Sequence, residues 1–132
     1  MFIDPSNIIS EPAANVLNEF FSHHESDKGA PAKDIILIRG TIEPGAGHNF
    51  HYHEGREEFL YILKGEIEQW IGEEKRIVGP GDVIYVPEGE IHGSFNVGDE
   101  DAQLLAIFNN KSGSEPLAED VSQQEPWVSI RT

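Results

Sequence analysis

Residues 45–65 read GAGHNFHYHEGREEFLYILKG, and their pattern decides the fold. His51 and His53 are two apart, and successive side chains on a strand point to opposite faces, so both imidazoles lie on one side. Glu54-Gly55-Arg56 reads as a turn, and Glu58 opens a run, Phe59 to Lys64, rich in aromatic and β-branched residues. Two nitrogens and one carboxylate oxygen can therefore converge from a single hairpin. Glu57 is the rival carboxylate; on a regular strand it points outward, and only a bulge in the turn would bring it in.

A fourth candidate ligand lies in GDVIYVPEGEIH, residues 81–92, where a strand ends at Pro87, Gly89 makes a turn and His92 begins the next strand. The combined spacing is G-x5-H-x-H-x4-E-x6-G, fifteen residues, then G-x5-P-x-G-x2-H-x3-N, closing at Asn96. This resembles the two-motif signature of the cupin family, over roughly residues 35 to 109. The resemblance implies a small jelly-roll barrel, a double-stranded β-helix, in which His51, His53, Glu58 and His92 bind one divalent metal. Three imidazoles and a carboxylate facing one interior are costly to desolvate without a cation to satisfy them.

From Asp34 onward the residues read as eight strands: Ile35 to Ile42, Asn49 to His53, Glu58 to Lys64, Glu66 to Ile71, Lys75 to Val78, Val83 to Val86, Ile91 to Val97 and Gln103 to Asn109. Short strands separated by Gly and Pro turns, without an intervening helix, indicate an all-β sandwich or barrel. Before them, Val16, Leu17, Phe20 and Phe21 sit at helical spacing, which predicts a short amphipathic helix over Glu11 to Glu25, with His23 and His24 at its end. The expected organisation is an arm and helix over 1–33, the barrel over 34–110, and a tail over 111–132. Trp127, Val128 and Ile130 in the tail should dock on the barrel or on a partner.

The chain has 132 residues, enough for one core. With 24 acidic and 9 basic residues its formal charge is −15, which argues against nucleic acid or anionic membrane surfaces as partners. There is no cysteine, so disulfides and thiol nucleophiles are unavailable. No secretory signal pattern or membrane-length apolar run is visible, and the expected location is the cytoplasm.

Three nitrogens and one oxygen suit iron, manganese, nickel, copper, cobalt or zinc without choosing among them. Four protein ligands leave one or two metal positions open for water, oxygen or substrate. The strand parity makes Asn49, Leu60, Ile62, Ser94 and Phe95 the candidate pocket wall; His48 is near enough in sequence to serve as an acid or base beside the metal, but parity points it away from His51, and no catalytic residue is assigned. The first functional expectation is a dioxygenase acting on a small organic substrate. Metal-dependent sugar or uronate isomerases, epimerases and lyases are the alternative, although Arg39, Arg56 and Arg76 are not placed to bind a carboxylate. A non-enzymatic ligand-binding or metal-binding module is the third. The apolar segments Val16 to Phe21 and Trp127 to Ile130 also suggest a homodimer in which they exchange between subunits.

Overall fold

The computed structural model describes residues 1–22, 27–109 and 117–132. Eleven strands run in order: β1 (Ile9–Ala13), β2 (Val16–Phe20), β3 (Ile35–Ile42), β4 (Gly47–Tyr52), β5 (Glu58–Lys64), β6 (Ile67–Ile71), β7 (Glu74–Val78), β8 (Val83–Val86), β9 (His92–Asn96), β10 (Ala102–Asn109) and β11 (Glu119–Asp120). They form a six-stranded sheet, β1-β2-β3-β10-β5-β8, and a five-stranded sheet, β11-β4-β9-β6-β7. The two antiparallel sheets enclose a core in which Ile42, Ile62, Ile67 and Leu104 are almost wholly buried. The alternation along β5 shows why: Glu58, Leu60 and Ile62 are buried while Phe59, Tyr61 and Leu63 are exposed, the period of two that a half-buried strand requires.

The expected N-terminal helix is not there. Residues 9–20 form the hairpin β1–β2 instead, and β2 pairs with β3 from Val16↔Ile42 to Phe20↔Ile38. Pro12 cannot donate to a helix ladder but is tolerated on an edge strand, and Asn15 takes the left-handed conformation (φ 69°) that the turn needs. The apolar spacing of Val16, Leu17, Phe20 and Phe21 fits a helix stripe, but β2 gains a whole sheet edge to pair with, and tertiary pairing outweighs local periodicity. His23 and His24 lie outside the described residues. No helix of the described residues is long and apolar enough to cross a membrane.

A second apolar cluster, Phe50, Trp70, Phe95 and Val121, lies on the outer side of the five-stranded sheet. The last segment covers it: Trp127 packs against Phe50 with ring centroids 5.2 Å apart, and the Arg131 guanidinium lies 3.7 Å above the Phe95 ring. Ahead of it β11 pairs with β4, setting Asp120 opposite His51. Within one chain, β2 and the last segment both lie against the barrel.

Candidate metal centre

Each of the four expected ligands is aimed by a local feature of the chain. The turn before β5 is pinned to the end of β10, because the Glu57 amide donates to Asn109 Oδ1 (2.9 Å) and Asn109 Nδ2 donates to the Gly55 carbonyl (3.1 Å). No extra residue intervenes, so Glu58 pairs in register with Phe108 and Val86, points inward and is 3% exposed, while Glu57 faces solvent. His92 opens β9 directly opposite His51 on β4, and His53 follows beyond the end of β4. The imidazole nitrogens of His51, His53 and His92 come within 4.8 Å of one another.

The hydrogen bonds of the three rings fix which nitrogen carries the proton. In each ring Nδ1 faces a main-chain carbonyl: Asn49 for His51, Leu117 for His53 (2.9 Å) and Glu90 for His92 (2.9 Å). A carbonyl can only accept, so Nδ1 is the donor and Nε2 of the neutral ring presents a lone pair. Glu58 Oε1 lies 2.9 Å from His92 Nε2 and 3.7 Å from His53 Nε2. Oε1 and His53 Nε2 are buried without a hydrogen-bond partner among the described residues. These are lone-pair atoms facing lone-pair atoms, an arrangement that is repulsive until a cation or proton sits between them. The donor set therefore fits a divalent transition metal.

Burial favours the neutral, ligating form of the His51 and His53 rings. Burial holds His51 well below the ordinary histidine value, reinforced by the neighbouring His92 and His53. Burial also lowers His53, and the nearby Glu58 carboxylate opposes that shift.

The site forms one wall of a cavity of about 420 Å³ between the sheets, roofed by the β1–β2 hairpin. Of the expected pocket residues, Asn49, Leu60 and Ser94 line it. Ile62 is in the closed core, and Phe95 is on the opposite face of β9 from Ser94, in the cluster beneath the tail. Leu104, Ala106 and Phe108 from β10 extend the apolar wall. No lysine or arginine is among the described lining residues, whereas Glu11 and Asp120 are.

Strand parity missed His48. The pairing of β4 with β9 is irregular between His48 and His51, and Asn49 Oδ1 takes the Phe50 amide there (2.9 Å). The irregularity rotates His48 into the cavity, where its Nε2 bonds Asn18 Oδ1 on β2 (3.0 Å). Gly40 makes room for it: a Cβ there would stand 2.9 Å from His48 Cε1. Burial lowers the His48 value as well. The irregularity itself leaves no mark in the sequence beyond an Asn able to bond its own main chain.

Comparison with known proteins agrees with this geometry. A family model described as a cupin domain matches residues 38–108. An oxalate-binding protein of Thermotoga maritima is 31% identical over 87 residues, 66% of this chain and 72% of the relative. An oxalate oxidase of Triticum aestivum is 29% identical over 94 residues, 65% of this chain, but the match spans only 42% of that longer protein. Among solved structures, a polyketide cyclase of Streptomyces resistomycificus superposes with a TM-score of 0.75 over 98% of this chain and 97% of its own, at 17% identity, a likeness of fold alone. The matched domain contains all four inward-facing ligand candidates and the strands from β4 to β9 with most of β3 and β10, and on that footing the chain belongs to the cupin family.

Proposed function

We propose that this cupin holds one divalent transition metal through His51, His53, His92 and Glu58, and that it is a dioxygenase for a small, largely apolar substrate that offers oxygen atoms to the metal. The observation that carries the reading is the convergence of unprotonated ring nitrogens and a carboxylate oxygen, with no donor between them, on one wall of a mostly apolar cavity. When bound, the metal would supply a Lewis acid with positions left open for substrate and oxygen. The chain's own part is to hold and orient. The Nδ1 bonds fix the rings, Leu60, Leu104, Ala106 and Phe108 exclude water and accept an apolar body, and His48 and Asn18 offer a polar contact on the hairpin side. The acidic residues Glu11 and Asp120, and the lack of Lys or Arg among the described lining residues, weigh against uronates and other polyanions. They favour a neutral enol, diketone or catechol over an acidic sugar.

A second reading is binding of a small dicarboxylate, favoured by the 31% identity to an oxalate-binding protein. Among the described lining residues such a ligand would find no Lys or Arg, and the metal would supply its counter-charge. One experiment separates the two: metal-analysed protein is tested in an oxygen electrode with flavonol, diketone and catechol substrates, and by calorimetry with oxalate. Metal-dependent oxygen uptake, lost in His51→Ala, supports the dioxygenase. No uptake together with metal-dependent oxalate binding supports the second reading. Protein without stoichiometric metal after purification and metal addition overturns both.

A further inference from the structure

We propose that His48 and Ser94 form a pair of hydrogen-bond acceptors that selects the ligand, an inference that rests on the metal centre described above. The pair favours a ligand that carries, beyond the oxygens held by the metal, a further hydroxyl able to donate into the cavity. Enediols and polyhydroxylated rings meet that condition; diketones and ethers do not. Both residues line the cavity beside the metal site. They are cross-strand neighbours, His48 on β4 opposite Ser94 on β9. Ser94 follows His92 by two positions on one strand, so it shares the face of that ligand and stands about 6–7 Å further along.

Each of the two has its own proton committed elsewhere. Gln69 is 3% exposed, and its Nε2 donates to the Trp70 carbonyl (3.1 Å), which leaves Oε1 toward Ser94. An amide oxygen can only accept, so the Ser94 hydroxyl donates to it, at 2.6 Å. What Ser94 has left to offer is oxygen lone pairs. His48 is held in the same manner. Its Nε2 donates to Asn18 Oδ1 at 3.0 Å, and burial favours the neutral ring, so Nδ1 carries a lone pair. The rest of the lining has the same character: Glu11 and Asp120 are acceptors, and among the described lining side chains only the Asn18 and Asn49 amides keep a donor. A carbonyl or ether oxygen placed beside the pair would meet lone pairs, and both sides would give up water without a bond in return. A hydroxyl makes that bond. The cavity thus discriminates by the cost of leaving buried polar groups unpaired.

Oxygen-free calorimetry on the full chain, stripped of metal and reloaded with redox-inert zinc, tests this. The probes are catechol, pyrogallol and 3-methoxycatechol. All three offer two adjacent oxygens to the metal, and they differ at the neighbouring ring position, which bears hydrogen, a hydroxyl or a methyl ether. Pyrogallol should bind at least about tenfold more tightly than either of the others, the ratio that one hydrogen bond of ordinary net strength supports. Ser94→Ala and His48→Phe should each bring that ratio toward one, and Ser94→Thr, which keeps the hydroxyl, should restore it. Circular dichroism and zinc content establish that each variant is folded and loaded. Zinc-dependent binding with equal affinity for the three probes overturns the acceptor pair and leaves the metal centre standing, as does a ratio retained in both Ser94→Ala and His48→Phe. A chain that takes up no zinc, or binding that is no weaker in chelator, overturns both.

Discussion

Replacing Glu58 by Gln should stabilise the metal-free protein while abolishing its metal affinity. In the metal-free state Oε1 is buried, has no hydrogen-bond donor among the described residues and stands 2.9 Å from His92 Nε2. A buried polar group without a partner costs roughly 1–3 kcal/mol, more when charged, and a Gln amide in the same place would donate to the Nε2 lone pair and contribute about 1 kcal/mol. The metal-free variant should therefore be more stable by about 2 kcal/mol, equivalent to a rise in melting temperature of roughly 5–10 °C for a domain of this size. With metal at 100 times its Kd the native protein gains about 2.7 kcal/mol from binding and the variant little, so the order of the two melting curves should reverse. Differential scanning calorimetry with chelator and with added manganese or iron measures both halves. If Glu58→Gln melts below the native protein in chelator, or is stabilised by metal as strongly as the native protein is, the reasoning about facing lone pairs is refuted.

Other tests follow from the same geometry. The folded values of His48, His51 and His53 lie below the ordinary 6.5, so as pH falls below about 6.5 the unfolded chain takes up protons before the folded one does. Metal-free stability should thus be highest above pH 6.5 and decline on acidification by up to ~1.4 kcal/mol per pH unit per ring, until the folded rings titrate; guanidinium unfolding at pH 7.5, 6.5 and 5.5 checks the sign. Metal content should fall only at still lower pH, where the folded rings themselves take up protons that compete for Nε2. His48→Phe should leave metal content unchanged while altering substrate KM, and Gly40→Ala, whose Cβ would press on the His48 ring, should reproduce the KM change with the imidazole still present. Trp127→Ala should cost about 1–3 kcal/mol in chemical denaturation by uncovering Phe50, with native metal stoichiometry.

The strands that carry the site were legible because each satisfies a local rule. Ile35–Ile42, Glu58–Lys64 and Val83–Val86 occupy the expected residues, and the turn glycines 45, 65, 72, 81 and 89 take positive φ. The inward direction of Glu58 followed from counting, since no residue is inserted between the turn and the strand. Counting failed at His48, where the pairing irregularity breaks the alternation, and at residues 94 and 95, because adjacent positions cannot both face inward: Ser94 lines the cavity and Phe95 does not. The hairpin at residues 9–20 was illegible for another reason. Its apolar positions suit either period, and the deciding partner, β3, lies more than a dozen residues further along the chain. The tail was legible as an apolar segment seeking a surface, but the Leu117 carbonyl that fixes His53 is a main-chain atom, which no side-chain pattern announces.

That carbonyl sets an order of events during synthesis. A nascent chain that has emerged through residue 109 already contains His51, His53, Glu58 and His92 and nearly every strand of both sheets. It still lacks Leu117 to fix the His53 ring and β11 to brace the His51 strand. Until those residues leave the ribosome, one of the three imidazoles can turn either nitrogen inward, and a passing ion meets a site of lower affinity and looser shape. On the proposed reading, a tight metal site would form only once Leu117 and β11 are in place.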